Sequence, residues 1–125
     1  MTDPITPEPN GLQIALAYYR AWTTQDFDRA MTFIAPAIVC DAPAGRLEGA
    51  PAFRAFMEPF SRIVRHSDLL AAFGDEKSAV LIYRTETAPV RDAPGAEHLV
   101  IADGLIAHLR IVFDRLPFVE VRQRG

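Results

Sequence analysis

The chain changes its hydrophobic period about halfway along. Apart from the short run at residues 38–48, the apolar positions up to about residue 60 recur at helical spacing, and from about residue 65 the chain reads as strands. Leu12, Ile14, Leu16, Tyr18, Tyr19 and Trp22 predict a helix over residues 11–23 that is apolar around most of its circumference and therefore buried. Asn10 suits its N-cap, with Gln13 three residues on as the capping-box partner. Asp26 starts a second helix, with Phe27, Ala30, Met31 and Ile34 at helical spacing and Pro36 as its stop. Ile38 to Asp41 reads as a short strand that ends in the turn Ala42-Pro43-Ala44-Gly45, and Arg46-Leu47-Glu48 as a second short strand or a turn. Gly49-Ala50-Pro51 opens a third helix with the stripe Phe53, Phe56, Met57 and Phe60. Pro59 lies inside that stripe and predicts a kink or a split.

The remainder predicts strands. Residues 65–73 lead into the turn Gly74-Asp75-Glu76, and Ala79 to Thr87 alternates as a half-buried strand should. Residues 88–95 read as a loop with Pro89, Pro94 and Gly95. Glu97 to Ala102 and Leu105 to Asp114 flank Asp103-Gly104, the strongest hairpin signal in the chain. Residues 116–125 suggest a strand end that frays. Helices first and antiparallel strands later predict an α+β fold, a curved, mostly antiparallel sheet wrapped around three N-terminal helices into a cone-shaped barrel. Such a cone encloses a cavity suited to a small ligand.

Length and composition narrow the picture. A chain of 125 residues is one domain with one core, expected over residues 11–125 behind a proline-rich arm at residues 1–10. The net charge of −3 argues against a nucleic-acid surface. Cys40 is the only cysteine, so neither an intrachain disulfide nor a cysteine-based metal site is expected. His66, His98 and His108 are not spaced as a helical metal pair, and no phosphate loop or nucleophile elbow is present, so no metal and no cofactor is implied. The start of the chain lacks the basic and apolar regions of a signal peptide, and no segment is long and apolar enough to span a bilayer; a cytoplasmic protein is the default expectation.

Asp41 is the leading candidate for chemistry. A carboxylate at the end of an apolar strand either caps the turn through its backbone amides or faces a dry pocket as a base. Of Tyr18 and Tyr19, about 100° apart on the helix, one is expected to reach a pocket and the other to pack under the sheet. Alternation places His98, Val100 and Ala102 on one strand face and Leu99 and Ile101 on the other, and both faces are apolar enough to be the inner one. Tyr19, Trp22, Phe53, Phe56, Met57, Phe60, Val100 and Phe113 are the candidate lining for a small apolar ligand; the stripes serve equally as core. Arg84, Glu86, His108 and Arg110 alternate with apolar residues and read as the outer sheet face. Ile82, Leu99 and Ile101 are the apolar candidates for a face covered by a partner, which suggests a homodimer.

The order helix, helix, strand with aspartate, helix and hairpin-rich sheet resembles the nuclear-transport-factor-two-like superfamily. Within it the chain is similar to the SnoaL-like group, which includes polyketide cyclases and ketosteroid isomerase. Three stretches over residues 11–118 carry the resemblance: Ala17-Tyr18-Tyr19-Arg20-Ala21-Trp22 followed by Asp26-Phe27-Asp28, Cys40-Asp41-Ala42-Pro43-Ala44-Gly45 through Gly49-Ala50, and Asp103-Gly104. The resemblance implies that Asp41 stands where ketosteroid isomerase keeps its proton-shuttling aspartate, and that Tyr18 falls at or near its oxyanion-donating tyrosine. The second oxyanion donor corresponds to His98, or to Glu97 if the register slips by one. The aspartates and arginine of limonene-epoxide hydrolase, another relative, find no clear counterparts. Two functions follow as expectations. One is a cofactor-independent acid–base enzyme (isomerase, cyclase or dehydratase) acting on a small apolar carbonyl compound through Asp41, Tyr18 and His98. The other is a non-catalytic ligand-binding or dimerisation module of the same fold.

Overall fold

The computed structural model describes residues 10–88, 90–114 and 116–119. Its elements run α1 (Gly11–Thr23), α2 (Phe27–Met31), β1 (Ile34–Ala42), β2 (Gly45–Glu48), α3 (Ala50–Ile63), β3 (Val64–Gly74), β4 (Ser78–Thr87), β5 (Ala93–Ala102) and β6 (Leu105–Phe113). The strands form one curved, unclosed sheet in the order β2-β1-β6-β5-β4-β3. All neighbours are antiparallel except β1 and β6. The fold is α+β, with the helices on the concave face. Residues 1–9 and the tail from residue 120, for which an arm and fraying were expected, lie outside the described residues.

The sequence signals act locally as chemistry requires. Asn10 and Gln13 form the reciprocal capping box: Gln13 donates its N–H to Asn10 Oδ1 at 2.9 Å, and Asn10 donates its own to Gln13 Oε1 at 3.0 Å. Gly11 sits against the β3–β4 turn, where a Cβ would lie 2.7 Å from the Asp75 carbonyl oxygen. Only glycine lets α1 dock there. Asp75 holds that turn by accepting the Lys77 and Ser78 amides at 2.8 and 2.9 Å. Asp103 and Gly104 both take positive φ, 53° and 77°, as a two-residue hairpin turn demands.

Four expectations are corrected. The second helix ends at Met31, and Ile34 and Pro36 belong to β1; the chain turns at Thr32-Phe33, and Ile34 pairs with Ile106 of β6. Pro36 falls in the stretch where that pairing loses register, between Ile34 and Val39, so its missing N–H breaks no regular ladder. Next, β5 begins at Ala93, so Pro94 and Gly95 are strand residues paired with Arg84 and Tyr83 rather than loop. Residues 116–119 form a helical turn and not a strand end. The third helix runs through Pro59 unbroken as one element.

The core lies between α1, α3 and the concave face. Trp22, Tyr18, Phe53, Ile38, Leu81, Leu99 and Leu109 are among its fully buried side chains. Ser61 ties α3 to the end of α1 by donating Oγ–H to the Trp22 carbonyl at 2.7 Å. No helix among the described residues is long and apolar enough to cross a membrane.

Candidate functional site

Strand parity decides which side chains can meet a ligand. On β4, Ala79, Leu81, Tyr83, Thr85 and Thr87 point inward and Val80, Ile82, Arg84 and Glu86 outward. Register carries that parity to β5: Leu81 pairs with Glu97 and Val80 with His98, so Glu97 and Leu99 are inside while His98 and Val100 are outside. Of the two, Glu97 is the residue on the inner face. His98 is therefore not an inner-face donor, and Val100 does not line a cavity. Leu99, expected as a partner-facing residue, is fully buried on the inner face, and Ile101 packs against the core.

The same logic places Asp41 on the outer face. Ile38 and Cys40 are buried, so Asp41 points the other way, with Arg46 opposite it on β2 and Arg110 opposite it on β6. Its carboxylate accepts Arg46 Nε–H at 2.9 Å and His108 Nε2–H at 2.8 Å, with the Arg110 guanidinium at 3.4 Å. A carboxylate can only accept, so the histidine is the donor. Hydrogen bonds from Arg46 and His108 hold Asp41 at a pKa of about 2. Asp41 is thus neither the cavity base nor a cap of its turn's backbone amides. It is the anion of a surface cluster, on the outer face where His108 and Arg110 were expected.

Tyr18 is fully buried, its ring 6.3 Å from that of Phe53, and its hydroxyl has no hydrogen-bond partner among the described residues. Tyr19 closes a hydrogen bond with Ser67 and stacks tilted on Tyr83 at 5.5 Å. Trp22 meets Tyr83 edge-on at 5.4 Å. Tyr18, Tyr19, Trp22 and Phe53 thus build the core behind the site and do not line it.

The site itself is a cavity of about 510 Å³ between α3, the far end of the sheet and the β1–β2 turn. From α3 it takes Phe56, Met57, Pro59, Phe60 and Ile63; from the sheet Tyr83, Thr85, Gly95, Ile111 and Phe113. Pro43, Ala44, Ala93 and Pro94 rim it, and Phe118 and Val119 close one side. Phe118 packs edge-on against Phe60 at 6.1 Å and Phe113 at 5.9 Å. Of the expected lining, Phe56, Met57, Phe60 and Phe113 are in place.

Two polar residues stand in this apolar wall. Tyr83 donates its hydroxyl to Glu97 Oε1 at 2.8 Å, and Thr85 donates Oγ1–H to the Ala93 carbonyl at 3.1 Å. Gly95 makes room for the tyrosine: a Cβ there would lie 3.0 Å from Tyr83 Cε1 and 3.3 Å from its hydroxyl. Glu97 is 1% exposed, and its Oε2 has no hydrogen-bond partner among the described residues. Burial raises its pKa to about 7, and the Tyr83 hydrogen bond opposes that rise. Burial and the Glu97 charge push the Tyr83 and Tyr18 hydroxyls well above 10. Tyr83, Thr85 and Ile111 were missed as site residues, although the alternation over Ala79–Thr87 puts Tyr83 and Thr85 on one face; Glu97 was named only as the alternative to His98. Among the described residues no three His, Cys, Asp or Glu side chains gather as a metal site would need.

The comparisons agree with this architecture. A Kribbella flavida protein of solved structure is 60% identical, covering 91% of this chain and 94% of that one at a TM-score of 0.89. An NTF2-like protein of unknown function from Cytophaga hutchinsonii shares the fold at a TM-score of 0.72 with 20% identity, over 95% and 99% of the two chains. A Pseudomonas putida protein described as a putative polyketide cyclase does so at 0.70 with 20% identity, over 89% and 96%. No curated protein matches the chain significantly. The model of the SnoaL-like domain matches residues 15–109, and the chain belongs to that family.

Proposed function

We propose that the protein binds one small, mainly apolar molecule in the cavity under α3, with a single polar group of the ligand at the Tyr83 end. The observation that carries this reading is the cavity itself: about 510 Å³, walled by aromatic and aliphatic side chains, with polarity confined to Tyr83 and Thr85. That volume and lining match small-molecule sites in general. Equilibrium dialysis against 2-methoxynaphthalene, a flat apolar probe, tests it. Saturable one-to-one binding is expected, and an absence of binding up to the probe's solubility sinks the reading.

A second reading, acid–base catalysis on an apolar carbonyl compound, has its own observation. Glu97 is a wholly buried carboxyl with a pKa of about 7, joined through Tyr83 to the cavity wall. A group so poised can exchange a proton at neutral pH, and the Tyr83 hydroxyl is its route to a bound ligand. Isomerisation, aldol-type cyclisation and dehydration all need such a step. Deuterium exchange at the carbon beside the carbonyl of 2-acetonaphthone measures it. Catalysed exchange that disappears in Glu97→Gln supports the reading; exchange at the buffer rate leaves binding alone.

The outer face suits a second copy of this chain. Ile82, Ala96 and Val112 lie in one row across β4, β5 and β6, with Ile82 and Val112 exposed by 40% and 59%. Asp41 and Glu86 share that face with Arg84 and Arg110, so two copies related by a two-fold axis can pair opposite charges. Sedimentation velocity should show a dimer that Ile82→Glu with Val112→Glu converts to monomer. A wild-type monomer at high concentration would exclude it.

A further inference from the structure

The direction of two hydrogen bonds restricts what the cavity can recognise. Tyr83 and Thr85 are the only side chains in its wall, among the described residues, that carry a hydroxyl, amide or charge. Each already directs its proton into the protein, Tyr83 to Glu97 at 2.8 Å and Thr85 to the Ala93 carbonyl at 3.1 Å. What remains toward a ligand is lone pairs. Pro43, Pro59 and Pro94 in the lining have no main-chain N–H to offer.

The Tyr83 proton is firmly committed. Its acceptor is a carboxylate oxygen, which makes stronger hydrogen bonds than a neutral acceptor. Gly95 lets the phenol end lie against the strand, and the rings of Tyr19 and Trp22 pack at 5.5 and 5.4 Å on its flanks. These contacts hold the ring with its hydroxyl on Glu97 Oε1. Thr85 is itself 1% exposed, with its hydroxyl on the Ala93 carbonyl.

We infer that the cavity selects ligands by a hydrogen-bond donor: a flat apolar alcohol, phenol or enol whose O–H is accepted by Tyr83 Oη or Thr85 Oγ1. This deepens the proposed binding function and rests on it. A ketone or ether of the same shape brings only lone pairs to an acceptor wall, and its oxygen goes unpaired on burial. An unpaired buried polar group is penalised, whereas a hydroxyl here gains a net hydrogen bond.

Matched probes test this at pH 8, above the Glu97 pKa of about 7. Equilibrium dialysis of the full chain compares 2-naphthol with 2-methoxynaphthalene, which is the more apolar of the two and would bind tighter to a merely greasy pocket. The expected result is that 2-naphthol binds about tenfold tighter, as one net hydrogen bond allows. Tyr83→Phe should erase most of that preference, read as the ratio of the two affinities in the variant, and the wild-type comparison stands on its own if that variant does not fold. Equal affinities, or tighter binding of the ether, overturn the donor inference and leave the cavity reading intact. Failure of both probes to bind overturns the cavity reading and this inference with it.

Discussion

Asp41 Oδ2 and His108 Nε2 lie 2.8 Å apart across the parallel β1–β6 pair, on the sheet face that the cavity does not share. With Arg46 and Arg110 beside it, Asp41 knits β2, β1 and β6 together from outside. Asp41→Asn should therefore leave probe binding in the cavity unchanged. Loss of binding in this variant would show that the outer cluster communicates with the cavity.

The same cluster sets a sign at acid pH. The Asp41 pKa is lowered from 3.8 to about 2, so its contribution to stability is present above the unfolded value and is lost as pH falls through about 2. Melting curves of wild type and Asp41→Asn should differ at pH 7, with wild type the more stable, and converge toward pH 2. Parallel curves across the whole range would contradict the pairing.

Glu97 has the opposite sign. Its pKa is raised from 4.5 to about 7. The folded protein keeps this group neutral more readily than the unfolded chain does, so the stability it supports is full below about pH 4.5 and declines as pH rises through about 7. A tenfold change in proton affinity is worth about 1.4 kcal/mol, which makes the decline on the order of 3 kcal/mol. Chemical denaturation at pH 5 and pH 8 should show it, and Glu97→Gln should flatten the difference. An unchanged pH profile in the variant would move the titration to another group.

The fold was legible because its signals are local and redundant. The capping box at Asn10, the Asp103-Gly104 turn and the alternation of Ala79–Thr87 each report a short stretch of backbone directly. The site was less legible because a cavity depends on strand parity. Asp41 attracted attention as a carboxylate in an apolar run, yet Cys40 beside it was the better guide: cysteine is among the most buried residue types, and a strand shows only one of two neighbours to the core. On β5 both faces are apolar, so His98 and Glu97 could be separated only by pairing with β4. The α3 stripe is different. Phe56, Met57 and Phe60 share a helix face whatever the sheet register does, and they reached the cavity as the spacing implied.

Gly95 and Tyr83 face each other in register, and the missing Cβ is what lets the phenol lie flat there. Gly95→Ala should cost about 1–3 kcal/mol by overpacking, since a contact of 3.0 Å to a ring held on both sides cannot relax cheaply. Combining it with Tyr83→Leu should give a loss smaller than the sum of the two single losses, because the clash then has a flexible partner. Additive losses in urea denaturation would place the cost of the alanine in the strand backbone rather than in the tyrosine.

Ala44 offers a way to close the cavity without disturbing the core. It lines the cavity from the turn between β1 and β2, and it is exposed. A larger side chain there can fold over the opening against Phe56, Phe60 or Phe113 and take up space that the ligand would use. Surface substitutions of this kind usually change stability by no more than about 0.5 kcal/mol. Ala44→Trp should therefore weaken 2-methoxynaphthalene at least tenfold while Tm stays near the wild-type value. Unaltered affinity would mean that the probe enters elsewhere, and the second depression, bordered by Thr23, Gln25 and Val64, would be the next place to look.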